Sequence, residues 1–140
     1  MDSDKSSATI AIITCRRPVW LKRLLESLTK QKVDDSTILN ILVVDNAGEQ
    51  STLDVVNEVS ATSPFLITYA CEKIPGIVAA RNKCVSEFLQ TDAKYLFFID
   101  DDEWPAEDNW AQKLLNKQQE YSADVITSHI LSVGETGTPE

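Results

Sequence analysis

Hydrophobic positions occur along the chain in two patterns, short unbroken apolar runs and longer segments in which apolar residues recur at helical spacing. The unbroken runs predict strands that are buried on both faces, because a strand with one wet face would alternate apolar and polar residues. Five strands are predicted in this way, and they are separated by the helical segments. Their bounds are Thr9–Thr14, Ile38–Val44, Phe65–Cys71, Tyr95–Ile99 and Val125–Val133.

Apolar residues three and four positions apart predict a helix after each of the first four strands. The first helix begins at Pro18, where a missing N–H group costs little. Ser51 with Asp54 predicts a capping box for the second helix, and Asp108 predicts an N-cap for the fourth. The four apolar stripes are Trp20, Leu21, Leu24, Leu25 and Leu28; Leu53, Val56 and Val59; Ile77, Ala80, Cys84, Val85 and Phe88; and Trp110, Leu114 and Leu115.

Strands that alternate with helices predict an α/β fold, with a mostly parallel sheet and helices on both faces. We expect one domain over residues 8–133, preceded by a flexible lead-in over 1–7 and followed by an exposed tail over 134–140. In such sheets, ligands gather where the strands end. The predicted strands end at polar residues, so the sequence indicates a polar rim along one edge of the sheet.

Composition limits the classes of function that need consideration. The 140 residues are 43% hydrophobic and 25% charged, as is ordinary for a globular domain. Acidic residues outnumber basic ones 22 to 13, which gives a net charge of −9 and argues against binding to nucleic acid. An anionic ligand would therefore need an arginine, a helix N-terminus or a bound cation. The polar N-terminus is not a secretory signal, and no apolar run is long enough to be a transmembrane segment.

The three cysteines, Cys15, Cys71 and Cys84, show no short paired spacing and lie in apolar surroundings. An odd number of scattered thiols suits a reducing compartment better than a disulfide framework. We therefore expect three buried free thiols in a cytoplasmic protein, either free or peripheral at the cytoplasmic face of a membrane.

Four consecutive acids, Asp100 to Glu103, follow the apolar strand Tyr95–Ile99 directly. Adjacent carboxylates repel one another unless a positive group lies among them. If the backbone stays extended, Asp100 and Asp102 point to one side and Asp101 to the other. Two such carboxylates can share a divalent cation, with phosphate oxygens completing its shell. The alternative is an acidic turn that caps the next helix. An EF-hand is excluded, because the required glycine is missing.

Three other polar residues have alternative interpretations. Asp45 ends a strand, and an aspartate there is slightly more often a turn former than a ligand contact. Arg81 is either a solvated helix residue or a cation for a phosphate or a nucleobase. His129 has no partner at metal-ligand spacing. No G-x-G-x-x-G follows the first strand, and neither a P-loop nor a G-x-S-x-G elbow is present.

Five short motifs, on the expected elements and in the expected order, resemble the nucleotide-binding half of family 2 glycosyltransferases, which have the Rossmann-like GT-A fold. Each motif is weakly specific by itself, and the set extends over nearly the whole chain, from about Thr9 to Val133. The motifs are Thr14–Pro18, Leu21-x-x-Leu24-Leu25-x-Ser27-Leu28, Val43–Asn46, Pro75-Gly76-x-x-x-Ala80-Arg81-Asn82, and Phe98–Glu103 with Pro105.

The resemblance implies a role for each candidate residue. Asp102 would be the metal ligand of a D-x-D motif, which reaches the donor diphosphate through Mn²⁺ or Mg²⁺, and Asp100 would lie near the ribose or the metal. Asp45 would accept a hydrogen bond from the nucleobase, Thr14 would line the same pocket, and Arg81 would lie beside the base or the diphosphate. The expected reaction is inverting transfer from a nucleotide sugar, with UDP the expected nucleotide, to the hydroxyl of a saccharide, lipid-linked or protein acceptor.

The resemblance also implies that the acceptor half and the catalytic base lie beyond this chain. The chain departs from the family pattern at Cys84, where the family often has glycine. An incomplete domain would expose apolar surface and could self-associate. The main alternative is a non-catalytic nucleotide-sugar-binding fragment or regulatory module with the same fold. A nucleotidyltransferase would need a glycine-rich loop after the first strand. A phosphoacceptor receiver domain would need its acids after the first and third strands rather than after the second and fourth.

Overall fold

The computed structural model describes residues 6–128 and 130–133, in which four strands alternate with four helices. β1 begins at Ser6, three residues before the predicted start, so it includes the last two residues of the expected lead-in. The expectations for residues 1–5, His129 and the tail 134–140 lie outside the described residues. The elements are β1 (Ser6–Thr14), α1 (Pro18–Leu28), β2 (Thr37–Asp45), α2 (Gln50–Ser60), β3 (Leu66–Cys71), α3 (Ile77–Leu89), β4 (Tyr95–Phe98) and α4 (Trp110–Tyr121).

The sheet is parallel throughout, with strand order β3-β2-β1-β4. β1 lies inside the sheet, where it pairs with β2 along its whole length and with β4 along four residues. Thr14 and Asp45, the last residues of β1 and β2, are register partners. Parallel pairing brings the carboxyl ends of all four strands to one edge, which is where the predicted polar rim falls.

Helices cover both faces of the sheet, as predicted. On one face, α1, α2 and α4 bury leucines, valines and Ala111 against Ile10, Ile12 and Ile41. On the other face, Ala80 and Cys84 of α3 pack against a smaller set of strand residues. Three members of the predicted stripes, Trp20, Ile77 and Val85, are nevertheless exposed.

The predicted fifth strand is wrong for the residues that the structure describes. Residues 125–128 and 130–132 form no strand, and Val133 makes only an isolated bridge. Three apolar side chains of this segment lie in solvent, with Val125 82%, Ile130 76% and Leu131 64% exposed. Strand-forming residues need a partner strand to satisfy the backbone, and local propensity cannot supply one.

Both predicted helix caps are wrong. α2 begins at Gln50, its N-cap residue Glu49 makes no side-chain cap, and Asp54 accepts a hydrogen bond from Gln50 Nε2 instead. α4 follows Asn109, while the Asp108 carboxylate pairs with Lys32 Nζ at 3.2 Å. α2 begins one residue before Ser51 and α4 begins two residues after Asp108, so neither predicted cap occupies the N-cap position.

Across the described residues, we find no helix with both the length and the apolar character needed to cross a membrane.

Candidate functional site

An open cleft of about 320 Å³ lies at the carboxyl edge of the sheet, beside the end of β1. The loop from β1 to α1 forms one wall, and the turn after β4 and the first residue of α3 complete the lining. It is lined by Ile13, Thr14, Cys15, Arg17, Ile77, Asp100, Asp101 and Asp102.

The four acids after β4 form a tight turn, which we call the acid turn (residues 100–103). The Glu103 N–H group donates to the carbonyl of Asp100 at 3.0 Å, and the Glu103 carboxylate accepts from the Asp100 N–H group at 2.9 Å. The backbone therefore does not stay extended. The condition for the predicted division of the side chains is therefore not met; Asp101 is buried while Asp100 and Asp102 are exposed, and all three line the cleft.

Asp101 connects the acid turn to the loop that follows β1. Thr14 Oγ1 donates to Asp101 Oδ2 at 3.0 Å, and Arg17 Nη1 donates to Asp101 Oδ1 at 3.2 Å. Sequence reasoning assigned no role to Asp101 or Arg17. The pairing could have been anticipated from charge, because four adjacent acids require a positive group nearby. An arginine pair follows β1, which is the strand beside β4.

The two adjacent arginines of the β1–α1 loop diverge. Arg16 has a left-handed backbone conformation, with φ of 57°, which is uncommon for a residue with a side chain. Its Nε donates to Glu49 at 2.9 Å, whereas Arg17 reaches Asp101. Cys15 is exposed in this loop and Cys71 is only half-buried, so of the three thiols predicted to be buried only Cys84 is.

The Asp45 carboxylate organises the loop between β2 and α2. The side chain is fully buried, with Oδ1 accepting from the Ala47 N–H group at 2.9 Å and Oδ2 from the Glu49 N–H group at 3.0 Å. Oδ2 also accepts from the Tyr69 hydroxyl at 2.8 Å. Burial, and then the hydrogen bond and negative charge of Asp45, raise the pKa of Tyr69 well above its ordinary value. These bonds agree with the turn-forming interpretation of Asp45, and its contact with a nucleobase stays a prediction.

Asn46 joins the end of β2 to the loop before α3. Its Nδ2 donates to the carbonyls of Glu72 and Ile74 at 2.7 and 2.9 Å, and its Oδ1 accepts from the Gly76 N–H group at 3.1 Å. Gly76 has φ of 113°, a conformation that side chains disfavour. This arrangement fixes the start of α3, and so places Ile77 at the cleft.

The structure brings some of the predicted site residues together and separates others. Thr14, Asp100 and Asp102 line the same cleft. Asp45 is the register partner of Thr14 but does not line the cleft, because its carboxylate is fully buried in its own hydrogen-bonded loop. Arg81 does not line the cleft, and its guanidinium lies over the Phe98 ring, 5.3 Å from the ring centre.

Asp100 and Asp102 have the chemistry of a partial cation site. Within residues 6–128 and 130–133, no three acidic, histidine or cysteine side chains converge to hold a metal ion. Asp101 is committed to Thr14 and Arg17, and the two exposed carboxylates at the cleft make no ion pair with any residue of the described ranges. Mg²⁺ and similar ions are often held by one or two carboxylates together with substrate phosphates, so these residues fit such an ion.

The family model described as "Glycosyl transferase family 2" matches residues 9–139. No curated protein sequence matches the chain. S. aureus TarS 1-349 in complex with UDP is similar in structure, with a TM-score of 0.76 and 20% identity over 96% of this chain and 38% of that one. The mannosyltransferase PcManGT from Pyrobaculum calidifontis, in complex with GDP-Man and Mn²⁺, has a TM-score of 0.66 and 18% identity over 88% of this chain and 34% of that one. The fold is the Rossmann-like GT-A fold, and the chain belongs to glycosyl transferase family 2.

Proposed function

We propose that this chain binds the donor of an inverting glycosyltransferase that uses a nucleotide-diphosphate sugar and a divalent cation. The supporting observation is the cleft in which Thr14, Asp100 and Asp102 meet, in a chain of glycosyl transferase family 2. The acceptor hydroxyl would attack the anomeric carbon and displace the nucleoside diphosphate. Its proton would pass to a base that we do not assign within this chain.

UDP is the proposed nucleotide of the donor. S. aureus TarS is described in complex with UDP and with UDP-GlcNAc, and PcManGT in complex with GDP-Man and Mn²⁺. At 18–20% identity, these structures support the proposal through their fold alone. The chain spans only 34–38% of the chains in these two structures, so transfer by a whole enzyme is part of the proposal.

Asp102 is the proposed ligand of Mn²⁺ or Mg²⁺, with Asp100 beside it near the ion or the ribose. When bound, the cation would neutralise the charge that develops on the leaving diphosphate. The buried bond from the Thr14 hydroxyl to Asp101 holds the acid turn to the end of β1. The two exposed carboxylates thus depend on β1 as well as on β4.

The nucleobase is proposed to lie near Thr14 and Asp45, with Arg81 beside the base or the diphosphate. Thr14 is only 1% exposed and donates its hydroxyl to Asp101, so we assign it to the wall of the pocket. A hydrogen bond from a base to Asp45 would require the 46–48 loop to open, since that carboxylate is fully buried. Arg81 would have to leave the Phe98 ring to reach the diphosphate.

The test of this proposal is calorimetric titration of UDP into the chain, with and without Mn²⁺, for wild type and Asp102→Ala. We expect binding that requires Mn²⁺ and is at least about tenfold weaker in the variant, as for the loss of one charged contact. Asp124→Ala is the matched control, because Asp124 is an exposed acid outside the cleft lining. Equal affinity of wild type and Asp102→Ala in Mn²⁺ would refute the metal assignment, and circular dichroism would establish that both variants fold.

Turnover distinguishes the two proposed classes of function. Release of UDP from a UDP-sugar by the purified chain would support a transferase, and binding without release would support a nucleotide-sugar-binding module. The acceptor remains a saccharide, a lipid-linked sugar or a protein.

Self-association is a further part of the proposal. Ile77, Val78 and Leu89 of α3 are exposed, and Phe98 of β4 is 40% exposed. Sedimentation velocity over a range of concentrations would test it, since a single monomeric species throughout would argue against association. A cytoplasmic location, free or at a membrane face, likewise stays a proposal.

A further inference from the structure

We infer that Arg17 is a ligand-binding residue that contacts the diphosphate of the ligand in this cleft. The inference rests on the proposed function, because it takes a nucleoside diphosphate as the ligand. It assigns the role to a residue of the β1–α1 loop rather than to the helix residue Arg81.

The cleft lining has more negative than positive side chains. Three carboxylates, from Asp100 to Asp102, line the cleft, and Arg17 is the one basic side chain among the described lining residues. A diphosphate that enters this cleft is repelled by the acids unless positive charge offsets them. A bound cation would supply part of that positive charge, and Arg17 supplies positive charge from the protein itself.

The guanidinium of Arg17 is held at one nitrogen and is otherwise accessible. Its side chain is 54% exposed, and one N–H group, on Nη1, is held by Asp101 at 3.2 Å. Its other guanidinium N–H groups make no hydrogen bond with the described residues. Asp101 is itself held by Thr14, so the arginine is tethered at one corner while its remaining donors stay available. A guanidinium restrained in this way is prepared for a phosphate, which it can bind through two N–H groups.

Arg81 offers no comparable arrangement in this structure. It is exposed on α3, lies over the Phe98 ring, and is absent from the cleft lining. Arg16 provides an internal comparison, since it has the same charge and adjoins Arg17. Its side chain turns away to Glu49.

The experiment compares wild type, Arg17→Met and Arg16→Met by calorimetric titration of UDP in Mn²⁺. We expect Arg17→Met to weaken UDP binding at least about tenfold, as for the loss of a charge-assisted contact. Arg16→Met should bind within about twofold of wild type, because the two variants change net charge equally and only one removes the cleft cation. Equal losses in the two variants would overturn the inference, and so would unchanged binding in Arg17→Met.

Two further ligands separate direct contact from damage to the acid turn. Uridine has no phosphate, and Arg17→Met should bind it as well as wild type does, as followed by NMR. Mn²⁺ alone, measured by EPR of the free ion, should bind Arg17→Met no more weakly than wild type, because the removed charge is positive. Weaker binding of uridine or of Mn²⁺ alone would show that Arg17 acts by holding the turn, which overturns a direct phosphate contact.

Inorganic pyrophosphate with Mn²⁺ makes failure of this inference distinguishable from failure of the proposed function. If wild type binds pyrophosphate in an Arg17-dependent way but does not bind UDP, the nucleotide assignment is wrong and the role of Arg17 stands. If wild type binds UDP and pyrophosphate with no dependence on Arg17, the inference is wrong and the proposed function stands. Binding of neither ligand refutes both.

Discussion

Replacing Asp45 by alanine removes the acceptor that holds the loop from β2 to α2. The carboxylate accepts three hydrogen bonds, from the N–H groups of Ala47 and Glu49 and from the Tyr69 hydroxyl. Hydrogen bonds to charged groups contribute about 1.5–3 kcal/mol each, so three suggest an upper limit near 9 kcal/mol. All three donors belong to partly exposed residues and can regain water when the loop relaxes. We therefore expect a loss of about 2–4 kcal/mol in the free energy of unfolding.

Urea unfolding followed by circular dichroism measures this loss, with Tyr69→Phe as the intermediate case. Tyr69→Phe removes one of the three bonds and keeps the ring, so we expect a loss of about 1–1.5 kcal/mol. Tyr95→Phe is the matched control, because Tyr95 is also partly buried and its hydroxyl makes no hydrogen bond with the described residues. It should change the free energy of unfolding by less than about 0.5 kcal/mol.

The relation between the variants tests the reasoning more strictly than any single value. In the double variant of Asp45→Ala and Tyr69→Phe, the two losses should not add, because the second substitution removes a donor whose acceptor is already gone. Fully additive losses, or an Asp45→Ala variant within about 0.5 kcal/mol of wild type, would refute the loop-forming role. In that case, a role in ligand binding would explain the buried carboxylate of Asp45 more simply.

Three other predictions concern the cysteines, Tyr69 and Arg23. Cys15 is exposed and should react with a thiol reagent in the native state. Burial raises the pKa of Cys84 to about 11 and should protect this thiol until the protein unfolds. Mass spectrometry of the labelled chain checks both expectations, and rapid native labelling of Cys84 would contradict its burial. The pKa of Tyr69 is raised in the folded protein, so the protonated hydroxyl stabilises the fold fully at pH values below 10.0, the ordinary pKa of tyrosine. This stabilisation should be lost progressively as the pH rises above 10.0. Wild type should therefore lose more stability than Tyr69→Phe between about pH 9 and about pH 11 in urea titrations, and parallel curves would contradict this. Arg23 lies over the Trp104 ring at 4.2 Å, so Arg23→Met should lower stability by about 1 kcal/mol and alter the tryptophan emission, and an unchanged spectrum would count against the stacking.

Much of the fold follows from patterns within single segments of the sequence. Each of the first four strands is an apolar run long enough to be buried on both faces, and Pro18 marks the start of α1 where it was expected. The fifth predicted strand has similar composition but leaves Val125 and Ile130 exposed. The difference lies in pairing, because a strand depends on a neighbour that its own residues do not specify.

The site was predictable in outline and less so in its contacts. Parallel topology is enough to place Thr14 and the exposed acids at one edge of the sheet. The bond between Arg17 and Asp101 joins residues 84 positions apart, and no local pattern encodes such a pair. Asp45 shows a similar limit, since only the fold reveals that Tyr69 donates to it.

The late position of β4 in the chain has a consequence for the order in which the cleft forms. β1 and β2 are joined by a single helix, whereas Thr14 meets Asp101 only after 87 positions of chain have been brought back on themselves. Closing so long a loop is entropically slower than closing a short one, and β4 contributes only four paired residues at the edge of the sheet. We expect the β1–β2 unit to assemble first and the acid turn to dock last. The same edge should be the first to open under mild denaturant, so ligand binding would disappear before most of the helical signal does.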